Sequence, residues 1–161
     1  MSSVFEMTSL ACSGVATGTP AGDAALNRVN VFELTQAAED AVLAPVDAGA
    51  WPAETRAAFA VRIAKLNRSK TLVAQYGRRP GGDGPLADPA NDGTAQNMGV
   101  VVTFMDKVAA QTREVRANDI TSLQAAGVSD ADIVRLAELN AFLAFQIRMV
   151  AGLSLIKGDI A

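Results

Sequence analysis

Cysteine and histidine carry most near-neutral nucleophilic and proton-transfer chemistry, and this chain has a single cysteine, Cys12, and no histidine. One thiol allows no intrachain disulfide, no thiol pair and no multi-cysteine metal site. Cys12 lies among small residues, and its peroxide chemistry would require a resolving thiol from another subunit or a small molecule. Ser69 has no imidazole to activate it and reads as a helix cap. The carboxylates Asp83, Asp88 and Asp92 miss the spacing of a calcium loop. Gly81-Gly82-Asp83-Gly84 lacks the preceding strand and the following lysine and hydroxyl residue of a phosphate loop. No cofactor and no metal is therefore expected.

The groups left for chemistry are arginines and carboxylates on helices. Arg148 interrupts an apolar run, so its guanidinium must reach solvent, pair with a carboxylate or meet a small anionic ligand. Glu138 would act as a general base only if burial raised its pKa; the plainer reading is a pair with Arg135 three residues earlier. Asn140 and Gln146 share that helix with Glu138 at different angular positions, so the three do not face one pocket. Arg78 and Arg79 follow a helix end, where positive charge favours the dipole, and could close over an anion with the segment beyond them.

These side chains need a scaffold, and 161 residues suffice for one domain with a core that needs no staples. With 14 basic against 17 acidic residues and a net charge of -3, no region has the positive footprint nucleic acid requires. Met1–Leu10 lacks a basic start and a long apolar run, so a signal peptide is not expected and a cytoplasmic setting is. The apolar stretch Ile133–Ile156 is broken by Arg135, Glu138, Gln146 and Arg148, which predicts a core helix rather than a membrane partner.

The pattern along the chain is all-α. Residues 1–27, rich in small residues, read as a flexible or draped arm, and 28–161 as a single helical domain. Val31, Leu34, Ala38, Ala41 and Val42 recur at helical spacing over Arg28–Ala44, and Pro45 stops the run. Pro52 and Glu54 open a second helix through Phe59, Ile63 and Leu66; Lys70–Tyr76 forms a third, ended by Gly77. Residues 78–96 have no apolar period and are expected as a loop or disordered insertion. Asn97 caps a helix over Met98–Thr112, and Asp119–Ala126 forms a short one closed by Gly127. Ser129 and Asp132 then start the long last helix, whose Ala137, Ala141, Ala144, Ala151 and Gly152 permit a close neighbour. Trp51, Phe32, Phe59, Phe104, Phe142 and Phe145 are read as core or interface residues.

Two blocks carry a family resemblance. Leu123–Gly127 with Val128–Val134 (LQAAG, VSDADIV) and Ala141–Leu153 (AFLAFQIRMVAGL) resemble the C-terminal signature of the carboxymuconolactone decarboxylase and AhpD-like alkylhydroperoxidase superfamily. There a turn of this type leads into a long helix with an aromatic-rich run and an arginine. The resemblance covers about Val29–Leu155 and implies an AhpD-like helical domain that oligomerises. Its peroxidase members carry a C-x-x-C pair followed four residues later by histidine. In SKTLVAQYG of this chain those places are held by Ser69, Leu72 and Tyr76, and a glutamate often found upstream is Lys65.

Thiol peroxidase chemistry through that site is therefore excluded, and the decarboxylase branch, which uses histidine and glutamate, also lacks its imidazole here. What the resemblance implies is a homo-oligomer, alone or with a family homologue, that is noncatalytic or binds a small ligand. The alternative is a decarboxylase-like or other enzyme that uses Tyr76, Glu138 and Arg148 in a residual cleft; Tyr76 is equally a packing anchor ahead of Gly77.

Overall fold

The computed structural model describes residues 3–158. Eight helices form an all-α domain: α1 Thr8–Ser13, α2 Pro20–Leu26, α3 Val29–Leu43, α4 Ala53–Leu66, α5 Lys70–Tyr76, α6 Gly99–Ala110, α7 Ala117–Ala125 and α8 Asp130–Lys157. Positions 1–2 and 159–161, the ends of the expected arm and domain, lie outside the described residues.

Helix α4 runs through the middle of the core. Every residue from Arg56 to Ala64 is buried, and four alanines and a valine among them (Ala57, Ala58, Ala60, Val61, Ala64) let α5, α6 and α8 approach closely. Helix α8 spans the domain and packs against α1, α3, α4 and α6. Phe59, Ile63, Leu72, Leu136, Leu139 and Leu143 are each almost wholly buried, and each such side chain contributes roughly 1.5–3 kcal/mol. An exposed ion pair is worth about 1 kcal/mol at most, so burial of one such side chain outweighs a surface pair.

Residues 1–27 were expected to flex or drape, yet within the described part they form α1 and α2. Leu10, Val15 and Ala25 join Phe32 in a second apolar cluster, with Met149 and Leu153 of α8 packed against it. Thr19 caps α2 by accepting from Gly22 N–H at 3.0 Å, with Pro20 at the first helical position. Small-residue composition concealed this, because short helices need only a few anchors when a larger surface receives them.

Helix α3 is rotated relative to the expected apolar face. Phe32, Thr35, Glu39 and Leu43 point inward, whereas Val31 and Leu34 are exposed, Leu34 at 69%. Three local expectations also change. Ser69 precedes α5 without a side-chain cap bond, and Asn97 sits at φ +55° before a helix that begins at Gly99. Arg135 pairs with Asp132 and Asp47 instead of Glu138. Ser129 does cap α8, accepting from Asp132 N–H at 3.2 Å, and Gly127 adopts φ +86° in the preceding turn.

Candidate functional site

The inward line of α3 places a carboxylate where an apolar residue would ordinarily sit. Glu39 is completely buried, and three other parts of the chain converge on it. Its Oε1 accepts from Thr8 Oγ1 of α1 at 2.8 Å and from Arg79 Nη2, just beyond α5, at 3.0 Å. Its Oε2 accepts from the Tyr76 hydroxyl at the end of α5 at 3.2 Å and from Gln146 Nε2 of α8 at 3.3 Å. Gln36, one turn before Glu39, adds a longer contact to Oε1 at 3.4 Å. Ser9 continues the network by donating to Gln146 Oε1 at 3.2 Å.

This arrangement fixes what the groups can do. A carboxylate offers about four lone-pair sites, and five donors crowd those of Glu39, so neither oxygen faces open space where a substrate could meet it. The Tyr76 phenol is pushed well above its ordinary range, foremost by burial and then by the Glu39 charge, which removes it as a neutral-pH acid. Tyr76 itself is fully buried, with Leu72 beneath it equally enclosed. No ligand reaches either residue.

Cys12 is buried close by, with Sγ 3.8 Å from the Thr71 carbonyl. Burial and the Glu39 charge push its thiol up to about 11, so the thiolate is scarce at neutral pH. The cluster is a polar knot that ties α1, α3, α5 and α8 together.

The structure does not bring Glu138 and Arg148 to this knot. Gln146 faces Glu39, and Arg148 is two residues further along the same helix, about 200° around its axis. Arg148 is exposed and donates Nη1 to the Ala144 carbonyl at 2.8 Å; Glu138 is exposed on the same outer side. Arg79 is committed to Glu39 and lies 3.8 Å from Asp40, and Arg78 is exposed. The residual cleft expected around Tyr76, Glu138 and Arg148 is thus replaced by packed side chains.

Two arginines of α4 have roles that composition did not reveal. Arg62, 1% exposed, grips Asp106 of α6 with two nitrogens, Nη2 to Oδ2 at 2.7 Å. Its Nη1 also donates to the carbonyls of Leu86, Asp88 and Asn91 at 3.2, 2.6 and 2.9 Å, and Nη2 to that of Pro89 at 3.2 Å. The 78–96 segment is therefore a loop wrapped around a buried cation, with 3-10 turns at Pro85–Ala87 and Thr94–Gln96. Arg56 does the same for the connection before α4, donating to Trp51, Val42 and Ala48 carbonyls at 2.7–3.0 Å. Burial, followed by Arg135, lowers its pKa.

Two cavities lie away from the knot. One of about 390 Å³ is lined by Trp51, Asn97, Met98 and Val128, and one of about 430 Å³ lies beside Arg148 and residues 110–114. Among the described residues no three Cys, Asp or Glu side chains gather at metal-binding distance. Comparison with family models, with curated proteins and with solved structures gives no match.

Proposed function

We propose that this chain is a noncatalytic helical subunit that acts by assembling with further copies of itself. The observation that carries the reading is the closed state of the polar centre around Glu39 and Tyr76: both have no exposed surface and their hydrogen bonds are made to each other and to their neighbours. The resemblance to the carboxymuconolactone decarboxylase and AhpD-like superfamily belongs to the proposal as the origin of the scaffold, and no step uses that superfamily's chemistry.

Assembly is favoured by α8, whose most apolar 18-residue stretch is only 33% buried. A helix of that kind needs a second surface. Multi-angle light scattering over a micromolar concentration range tests the proposal. A mass of at least two chains is expected; a monomer mass throughout overturns it.

A further inference from the structure

We infer that the outer face of α8 packs antiparallel on the same face of a second copy, with Glu138 of each chain meeting Arg148 of the other. The inference rests on the self-assembly reading above and specifies its surface. Val134, Glu138, Ala141, Phe145, Arg148 and Gly152 follow one another by alternating steps of four and three, the repeat that holds one stripe toward a partner helix. The first five are exposed, Val134 at 55% and Phe145 at 49%, and nothing lies within 4 Å of a Cβ placed on Gly152. The stripe is opposite the side of α8 that contributes Leu136, Leu139, Leu143 and Gln146 to the interior.

The order of residues along the stripe is self-complementary in one direction. Turned end for end about a two-fold axis near position 143, it sets Glu138 against Arg148, Ala141 against Phe145 and Val134 against Gly152. Each pair thus joins opposite charges or a large side chain to a small one. A parallel pairing would oppose Glu138 to Glu138 and Arg148 to Arg148, and Phe145 would meet Phe145. Charge and size both select the antiparallel form. Arg148 has no carboxylate within 4.0 Å among the described residues, so its guanidinium is available for the pair.

A lipid surface is the competing occupant, because α8 is long and apolar enough to cross a membrane. Two charges on the exposed stripe make lipid the poorer fit, and the opposite side of the helix is already committed to the protein core.

Charge exchange tests the arrangement on the full chain. In sedimentation equilibrium E138R and R148E are each expected to raise the dissociation constant of the dimer at least tenfold, since each puts like charges together twice. The double variant E138R/R148E restores the pairing and is expected to return to within about threefold of the parent. Both sites are exposed, so thermal melts taken at concentrations where every variant is monomeric should coincide and separate association from folding. If the parent dimerises and neither single exchange weakens it, the α8 pairing is wrong while self-assembly stands. If the parent is a monomer at all concentrations, both fall, and flotation of that monomer with phosphatidylcholine vesicles would assign the stripe to lipid.

Discussion

The Tyr76 hydroxyl donates to Glu39 Oε2 at 3.2 Å in a site where neither residue has exposed surface. A phenol and a carboxylate at this distance resemble an acid-base pair, but enclosure and the surrounding donors make them a structural joint. Y76F should cost about 1 kcal/mol, the usual size of one buried hydrogen bond. E39A should cost about 3–5 kcal/mol, because it strands the buried Thr8, Tyr76 and Gln146 donors and leaves Arg79 only its longer contact to Asp40. Urea denaturation compares the two directly. Equal, negligible losses would mean that the knot does not hold the four helices together.

Arg62 makes a parallel prediction for the 78–96 loop. R62M retains much of the apolar volume and removes the donors that gather the carbonyls of residues 86–91, leaving Asp106 unpaired as well. A loss of about 3–5 kcal/mol is expected, as for one partner removed from a buried pair. Amide hydrogen exchange should locate the change: backbone protection should fall first across 85–98 and only later in α8. Uniform loss of protection would show that the arginine supports the whole core rather than the loop.

The apolar period of α4 and α8, and Gly77 after Tyr76 for α5, were enough to find these three helices almost to the residue. The period failed for α3, where Val31 and Leu34 looked like the inner face and Phe32, Thr35, Glu39 and Leu43 are. The two faces differ by one residue of rotation, and only the neighbours decide between them. Glu39 is buried because Thr8, Tyr76 with Arg79, and Gln146, from three distant stretches of chain, meet it; no local signal encodes that meeting. The line Phe32-Thr35-Glu39-Leu43 at steps of three and four was the available hint. Likewise Arg62 reads locally as one charge in an Ala-rich helix, and its partners lie in a segment whose Gly, Pro and Asp content suggested no order. Of the candidate site residues, Tyr76 lies in the buried knot, whereas Glu138 and Arg148 lie on the exposed side of α8.

Cys12 should be inert in the folded protein. With its thiol pushed up to about 11, only roughly one molecule in a thousand carries a thiolate at pH 8, and the sulfur is buried besides. Iodoacetamide at pH 8 is expected to label it slowly in the native state and rapidly in denaturant. Peroxide should leave it reduced while oxidising an exposed control thiol. Native labelling at the rate of a free cysteine would overturn the assignment and reopen a redox role.

Asp132 gives the fold a defined response to acid. Its Oδ1 accepts from Ala50 N–H and Arg135 Nη1, both at 3.0 Å, and its Oδ2 from Ser129 Oγ at 2.7 Å. The Ala50 backbone bond foremost, then the Ser129 bond, hold the carboxyl below its ordinary value in the folded state. A folded-state value below the unfolded one stabilises the protein above the unfolded value of about 3.9 and loses that stabilisation as pH falls through the folded value. D132N should therefore be about 1 kcal/mol less stable than the parent at pH 7, with the gap narrowing once pH falls below about 4. Trp51, the only tryptophan, reports on the same junction, because its Nε1 donates to the Asp132 carbonyl at 2.9 Å and that backbone bond survives the substitution. Urea melts followed by its fluorescence at pH 7 and pH 3 measure the gap. If the gap is as wide at pH 3 as at pH 7, D132N acts by altered packing, and the charge of Asp132 does not join the 47–51 connection to the start of α8.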